Sequence, residues 1–81
     1  MGLSEEVERL RADLERLKAQ EDKTIDVFRG AQHNLFILAD QDAHPNLLET
    51  ARTKAVAYYE AYLDLTSEIR VKEKRFNDLM D

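Results

Sequence analysis

Asp40-Gln41-Asp42-Ala43-His44-Pro45-Asn46 is the stretch that decides the fold of this chain. It contains the only proline, and the residues on either side read as long amphipathic helices. Pro45 has no backbone N–H and disfavours helical geometry at the residue before it, here His44. A helix arriving from the N-terminal side is therefore expected to stop before His44. Asn46 can cap a new helix, with Glu49 three residues on where a capping-box partner belongs. The alternative start has Pro45 at the first helical position. So short a connection makes the two helices antiparallel neighbours. The expected fold is all-α: one helical-hairpin domain over 1–81, with helix 1 about 4–41, a turn at 42–45 and helix 2 about 46–80.

Composition agrees with that reading. The chain has 81 residues, 36% of them charged and 43% hydrophobic, with two glycines and one proline, which suits long helices rather than a sheet. There is no cysteine, which excludes disulfides, zinc-thiolate sites and thiol catalysis. A net charge of −5 argues against a nucleic-acid partner, which would require a basic face to neutralise phosphates. No apolar run reaches the roughly 18–20 residues that span a bilayer. The N-terminus lacks the basic-then-apolar layout of a secretion signal. No membrane partner is expected, and an intracellular, soluble, cytoplasmic protein is the default expectation.

Leu3, Val7, Leu10, Leu14 and Leu17 form the sharpest pattern, a heptad seam with Leu3, Leu10 and Leu17 at d and Val7 and Leu14 at a. A β-branched residue at a with leucine at d favours two strands. The flanking g residues Glu6 and Asp13 would face Arg11 and Lys18 of a second chain in a parallel pair, whereas an antiparallel pair of copies would oppose like charges. A parallel coiled-coil N-terminal segment is therefore expected, and Leu10→Asp or Leu14→Asp is expected to dissociate it. Ser4 is expected to cap this helix, with Glu5 and Glu6 in the first turn suiting its dipole.

At Gln20-Glu21-Asp22-Lys23-Thr24 the seam fails, with Glu21 at a and Thr24 at d. No glycine or proline interrupts it, so a wet layer within one continuous helix is expected, and Glu21→Leu reads as a stabilising repair of the seam. From Ile25 the apolar face widens, through Phe28, Ala31, Leu35, Phe36, Leu38 and Ala39. Helix 2 repeats the arrangement: Leu48, Ala51, Ala55, Tyr58, Tyr62, Leu65, Ile69, Phe76 and Leu79 lie on one seam, which Leu47, Tyr59 and Leu63 broaden. Folding about residues 43–44 places residue i beside about 87 minus i, so that Phe28 meets Tyr59, Leu35 meets Arg52 and Glu21 meets Thr66.

Two helices cannot cover faces this wide, and a small core alone supplies little stability. Pairing two hairpins into a four-helix bundle buries the broad faces. Homodimerisation is thus expected, through Leu3, Val7, Leu10, Leu14, Leu17, Phe28, Leu35, Leu38, Tyr58, Tyr62, Leu65 and Ile69. Ile37 and Tyr59 are the candidates for binding another protein. Ile37 and Val71 lie outside the stripes, and Tyr anchors often dominate interfaces.

No convergent reactive site is evident. Neither His33 nor His44 follows an acidic residue at the spacing used by di-iron bundles. Asp40-x-Asp42-x-His44 begins like a calcium loop, but its sixth position is Pro45 and its twelfth Ala51. Arg29, Arg52 and Lys54 are the residues that an anion-binding helical enzyme would recruit. The functional expectation is a non-catalytic oligomerisation and scaffolding module without cofactor or metal. The alternative is a small acidic regulator or adaptor that binds another protein through an exposed helical face.

Overall fold

The computed structural model describes residues 2–81. Helix α1 runs Leu3–Asp40 and helix α2 runs Pro45–Met80, within one residue of the expected boundaries. They lie antiparallel as a rod of 60 × 16 × 14 Å. Its radius of gyration is 18.1 Å, against about 12 Å for a compact domain of this length. Helix α1 passes through residues 20–24 without a break. There Thr24 turns its hydroxyl inward along the helix, donating to the Gln20 carbonyl at 2.8 Å.

The turn is built differently at each end. At its start, the Ala43 N–H donates to the Leu38 carbonyl and the Asp42 N–H to the Ala39 carbonyl. This is the Schellman pattern, in which the residue past the cap is left-handed and is usually glycine. Here Asp42 takes that place, at φ 52°, an orientation that aspartate tolerates better than most residues. At its end, Pro45 occupies the first helical position and its missing N–H costs nothing. Asn46 was expected to cap α2; instead His44 does so, its Nδ1 accepting from the Asn46 N–H at 3.1 Å. The proline forces this shift, because the residue before it is held extended and so becomes the cap. Ser4 likewise lies inside α1. Gly2 is the cap residue and makes no side-chain capping bond.

The core lies in the half of the rod away from the turn, the terminal half. Leu14, Leu17 and Ile69 are buried together, with Leu65 and Phe76 packed around them. Leu17 is 2% exposed. Polar pairs flank this cluster: Lys72 Nζ lies 3.5 Å from Asp13 Oδ2, Lys18 Nζ 3.3 Å from Glu73 Oε2, and Arg75 pairs with Glu6. The Arg11 guanidinium stands 5.9 Å from the centre of the Phe76 ring. Each exposed ion pair contributes about 0–1 kcal/mol, so the leucine cluster carries the stability and the charges secure its alignment.

Two outcomes follow. Leu17→Ala opens a cavity that costs about 2–5 kcal/mol, a large share of the roughly 4–12 kcal/mol typical for this length; urea unfolding should show the loss as a lowered midpoint. Asp42→Gly relieves a left-handed side chain and should raise the melting temperature, by up to about 1 kcal/mol of stability. A lowered melting temperature would mean that the aspartate side chain itself holds the turn.

Candidate functional site

The candidate site is an apolar groove in the half of the rod nearest the turn. It arises from the residues that α2 places on the seam there. Ala51 and Ala55 are buried between the helices. Their small side chains let the backbones approach but fill little volume, so the larger side chains splay to the flank. Phe28, Leu35 and Phe36 from α1, with Val56 and Tyr59 from α2, line a groove of about 300 Å³ together with Gln32, Arg52 and Ala55. Phe28 and Tyr59 form its floor, with ring centroids 5.5 Å apart and planes tilted by 42°.

Much of this surface is wet. Phe36 is 58% exposed, Val56 49% and Tyr59 46%. Scattered exposed aliphatics are ordinary on a monomer, but a contiguous patch around a groove marks an interaction surface. The chain exposes 6209 Å² in all, whereas a compact monomer of its mass exposes about 5,000 Å². The excess, about 1,200 Å², goes with the elongated shape of a two-helix rod.

The opposite face carries a second, more polar depression lined by Val27, Gly30, Ala31, Asn34, Lys54 and Tyr58. Lys54 and Val56 are two residues apart on a helix, about 200° around its axis, which sets them on opposite faces. Arg52 and Lys54 therefore do not converge, and Arg29 lines neither depression. No group of three or more His, Asp or Glu placed to hold a metal ion occurs among the described residues.

The residues expected at a dimer interface divide into two sets. Leu10, Leu14, Leu17 and Ile69 are buried within one chain, with Leu65 against them. Val7, Leu38, Tyr58 and Tyr62 are half-buried between the two helices, and Leu3 is exposed near the N-terminus. Phe28 and Leu35 reach the groove. Glu6 and Asp13, expected to meet Arg11 and Lys18 of a second chain, pair instead with Arg75 and Lys72 of their own. The turn holds α2 permanently beside α1, so it captures these charges first. Tyr59 lies at the groove and half exposed, while Ile37 is 40% exposed on another face. Sequence reading missed Val56, the residue between two alanines on the groove wall; its spacing from Arg52 and Tyr59 was the signal.

Glu21 corrects another expectation. Its Oε2 accepts a hydrogen bond of 2.9 Å from the Thr66 hydroxyl in the middle of the rod. Glu21→Leu is thus no simple repair, because it strands that hydroxyl in a half-buried layer. The single variant should be neutral or less stable by about 1 kcal/mol, while Glu21→Leu combined with Thr66→Val should melt above wild type. A double-mutant cycle by thermal unfolding checks the coupling, and zero coupling would mean the pair does not form. No helix among the described residues is long and apolar enough to cross a membrane. Comparison of the chain with protein-family models, with curated proteins and with solved structures found no match.

Proposed function

We propose that the chain is a non-catalytic oligomerisation module whose groove face is covered by a second copy, giving a four-helix bundle over the turn-proximal half. The observation that carries this reading is the groove itself: Phe36, Val56 and Tyr59 line it and stand exposed. Burying such a face removes apolar area worth about 25 cal/mol per Å². In the terminal half Leu10, Leu14 and Leu17 are covered within the chain, and the large apolar side chains left exposed there, Leu3, Val71 and Met80, do not line the groove. The proposed interface therefore runs through the groove rather than through a parallel coiled coil of Leu3–Leu17. A protein with this behaviour serves as a scaffold, holding whatever is joined to its ends in pairs.

A second reading keeps the fold and changes the partner. Ile37, Val27 and Leu47 are also exposed, and Ile37 and Val27 lie off the groove face, where a pair of hairpins leaves them uncovered. An acidic adaptor that binds another protein through Ile37 and Tyr59 would use such side chains.

Light scattering across a concentration series separates the two. The dimer reading expects a mass of twice 9.4 kDa. Phe36→Asp puts a charge at the groove rim without touching the leucine core, so it should return the mass to that of one chain while the helical circular dichroism is unchanged. A wild-type chain that stays monomeric at every concentration refutes the dimer and moves the argument to the adaptor. An undiminished dimer of Phe36→Asp refutes the groove as its interface.

A further inference from the structure

We infer that the reversal carries an acid-labile cap: proton uptake by His44 withdraws the acceptor that starts α2 and frays the turn end of the rod. Every group involved belongs to one chain, so the device stands whether or not two copies associate.

One residue meets the donors at the start of α2. The Asn46 N–H donates to the His44 Nδ1 at 3.1 Å, and the Leu47 and Leu48 N–H groups donate to the His44 carbonyl at 2.9 and 3.2 Å. Pro45 brings no N–H of its own. A backbone N–H can only donate, so the Nδ1 that receives it offers a lone pair and the ring proton sits on Nε2. The usual capping residues, serine, threonine, asparagine and aspartate, keep their acceptor throughout the neutral range. Imidazole does not. It gains its second proton between about pH 5 and 8, and both nitrogens are then donors. Protonation therefore sets a donor against the Asn46 N–H and a positive charge at the positive end of the helix dipole. Both changes oppose the cap.

The surrounding groups are acidic and pull the other way. Asp40 closes α1, Asp42 stands in the turn and Glu49 lies in the second turn of α2; all three are exposed. None pairs with the His44 ring among the described residues. Exposed carboxylates attract an imidazolium weakly, whereas the cap bond is lost outright. The nearest basic side chains, Arg52 on α2 and Arg29 on α1, and the other histidine, His33, lie about two turns or more along the rod. The folded chain needs the bare nitrogen and the unfolded chain does not, so proton uptake favours unfolding. The stabilisation is present above the range in which histidine titrates and is lost as pH falls through it. Fraying begins at this end because the turn-proximal half has little else to hold it. Ala51 and Ala55 are its buried side chains among the described residues, whereas Leu10, Leu14, Leu17 and Ile69 anchor the terminal half.

Nitrogen NMR of the intact chain reads the cap directly. At about pH 8 the His44 ring should show the Nε2–H tautomer, and the Asn46 amide should shift in step with the ring as pH falls to about 5.5. A ring protonated on Nδ1 at the higher pH, or an Asn46 amide indifferent to the ring's titration, overturns the inference. Thermal unfolding at one chain concentration supplies the energetic half. His44→Asn keeps a capping side chain that does not titrate, and the carboxylates and His33 contribute to both proteins alike. Over the same pH interval the wild-type melting temperature should fall further than that of the variant. The expected difference is about 4–8 °C, the shift that losing a cap of ordinary strength gives in a domain of this size. Equal falls in the two proteins, or a wild-type gain from an imidazolium paired with Asp40 or Asp42, would refute the acid-labile cap.

Discussion

Everything in this rod follows from the register set by residues 41–44. A helix advances by a fixed 1.5 Å per residue, so once the chain has reversed at Asp42 and His44, every pairing along 60 Å is determined. Phe28 meets Tyr59, Glu21 meets Thr66 and Arg11 meets Phe76, three contacts at widely separated levels with one common offset. The turn achieves this with three backbone hydrogen bonds at the end of α1 and one imidazole at the start of α2. Neither end relies on glycine. A proline blocks the helix, and an aspartate accepts the left-handed conformation that the reversal demands.

The two halves of the rod solve the same packing problem with different side chains. In the terminal half, leucines and Ile69 interdigitate and ion pairs run along the edges, which leaves a closed two-helix layer. Near the turn, Ala51 and Ala55 of α2 are buried while Phe36, Val56 and Tyr59 stand exposed at the groove. The first half is nearly complete as it stands. The second is an open surface whose large side chains have a floor but no roof. Between them, Glu21 and Thr66 satisfy each other in the layer where the apolar stripe is interrupted.

The hairpin, its boundaries and its register were legible because helical period and proline are strong, local signals. The caps were less so. Asn46 and Ser4 have the usual capping side chains, yet a proline moved one cap back to His44, and the other start falls on Gly2. The groove was legible only as a widening of the stripe between Ile25 and Leu38. Which side of the seam stays open depends on the small volume of Ala51 and Ala55, and periodicity counts an alanine as apolar without regard to its size. Tyr58, Tyr59 and Tyr62 illustrate the same limit: near neighbours on one helix, two sit between the helices while Tyr59 stands half outside.

The heptads of α1 show why an association code in a sequence does not name its partner. Glu6 and Asp13 beside a leucine stripe fit a parallel pair of chains, and they fit an antiparallel neighbour in the same chain equally well. Concentration breaks the tie. A helix tethered by a short turn is present at an effective concentration in the millimolar range, far above that of a second chain in dilute solution. Arg75 and Lys72 therefore reach those carboxylates first, and Leu14 and Leu17 are covered before another molecule arrives. What remains uncovered is the surface that the tethered helix cannot reach. In this chain that surface is the flank of the turn-proximal half, where the side chains are too large for a seam lined with alanine.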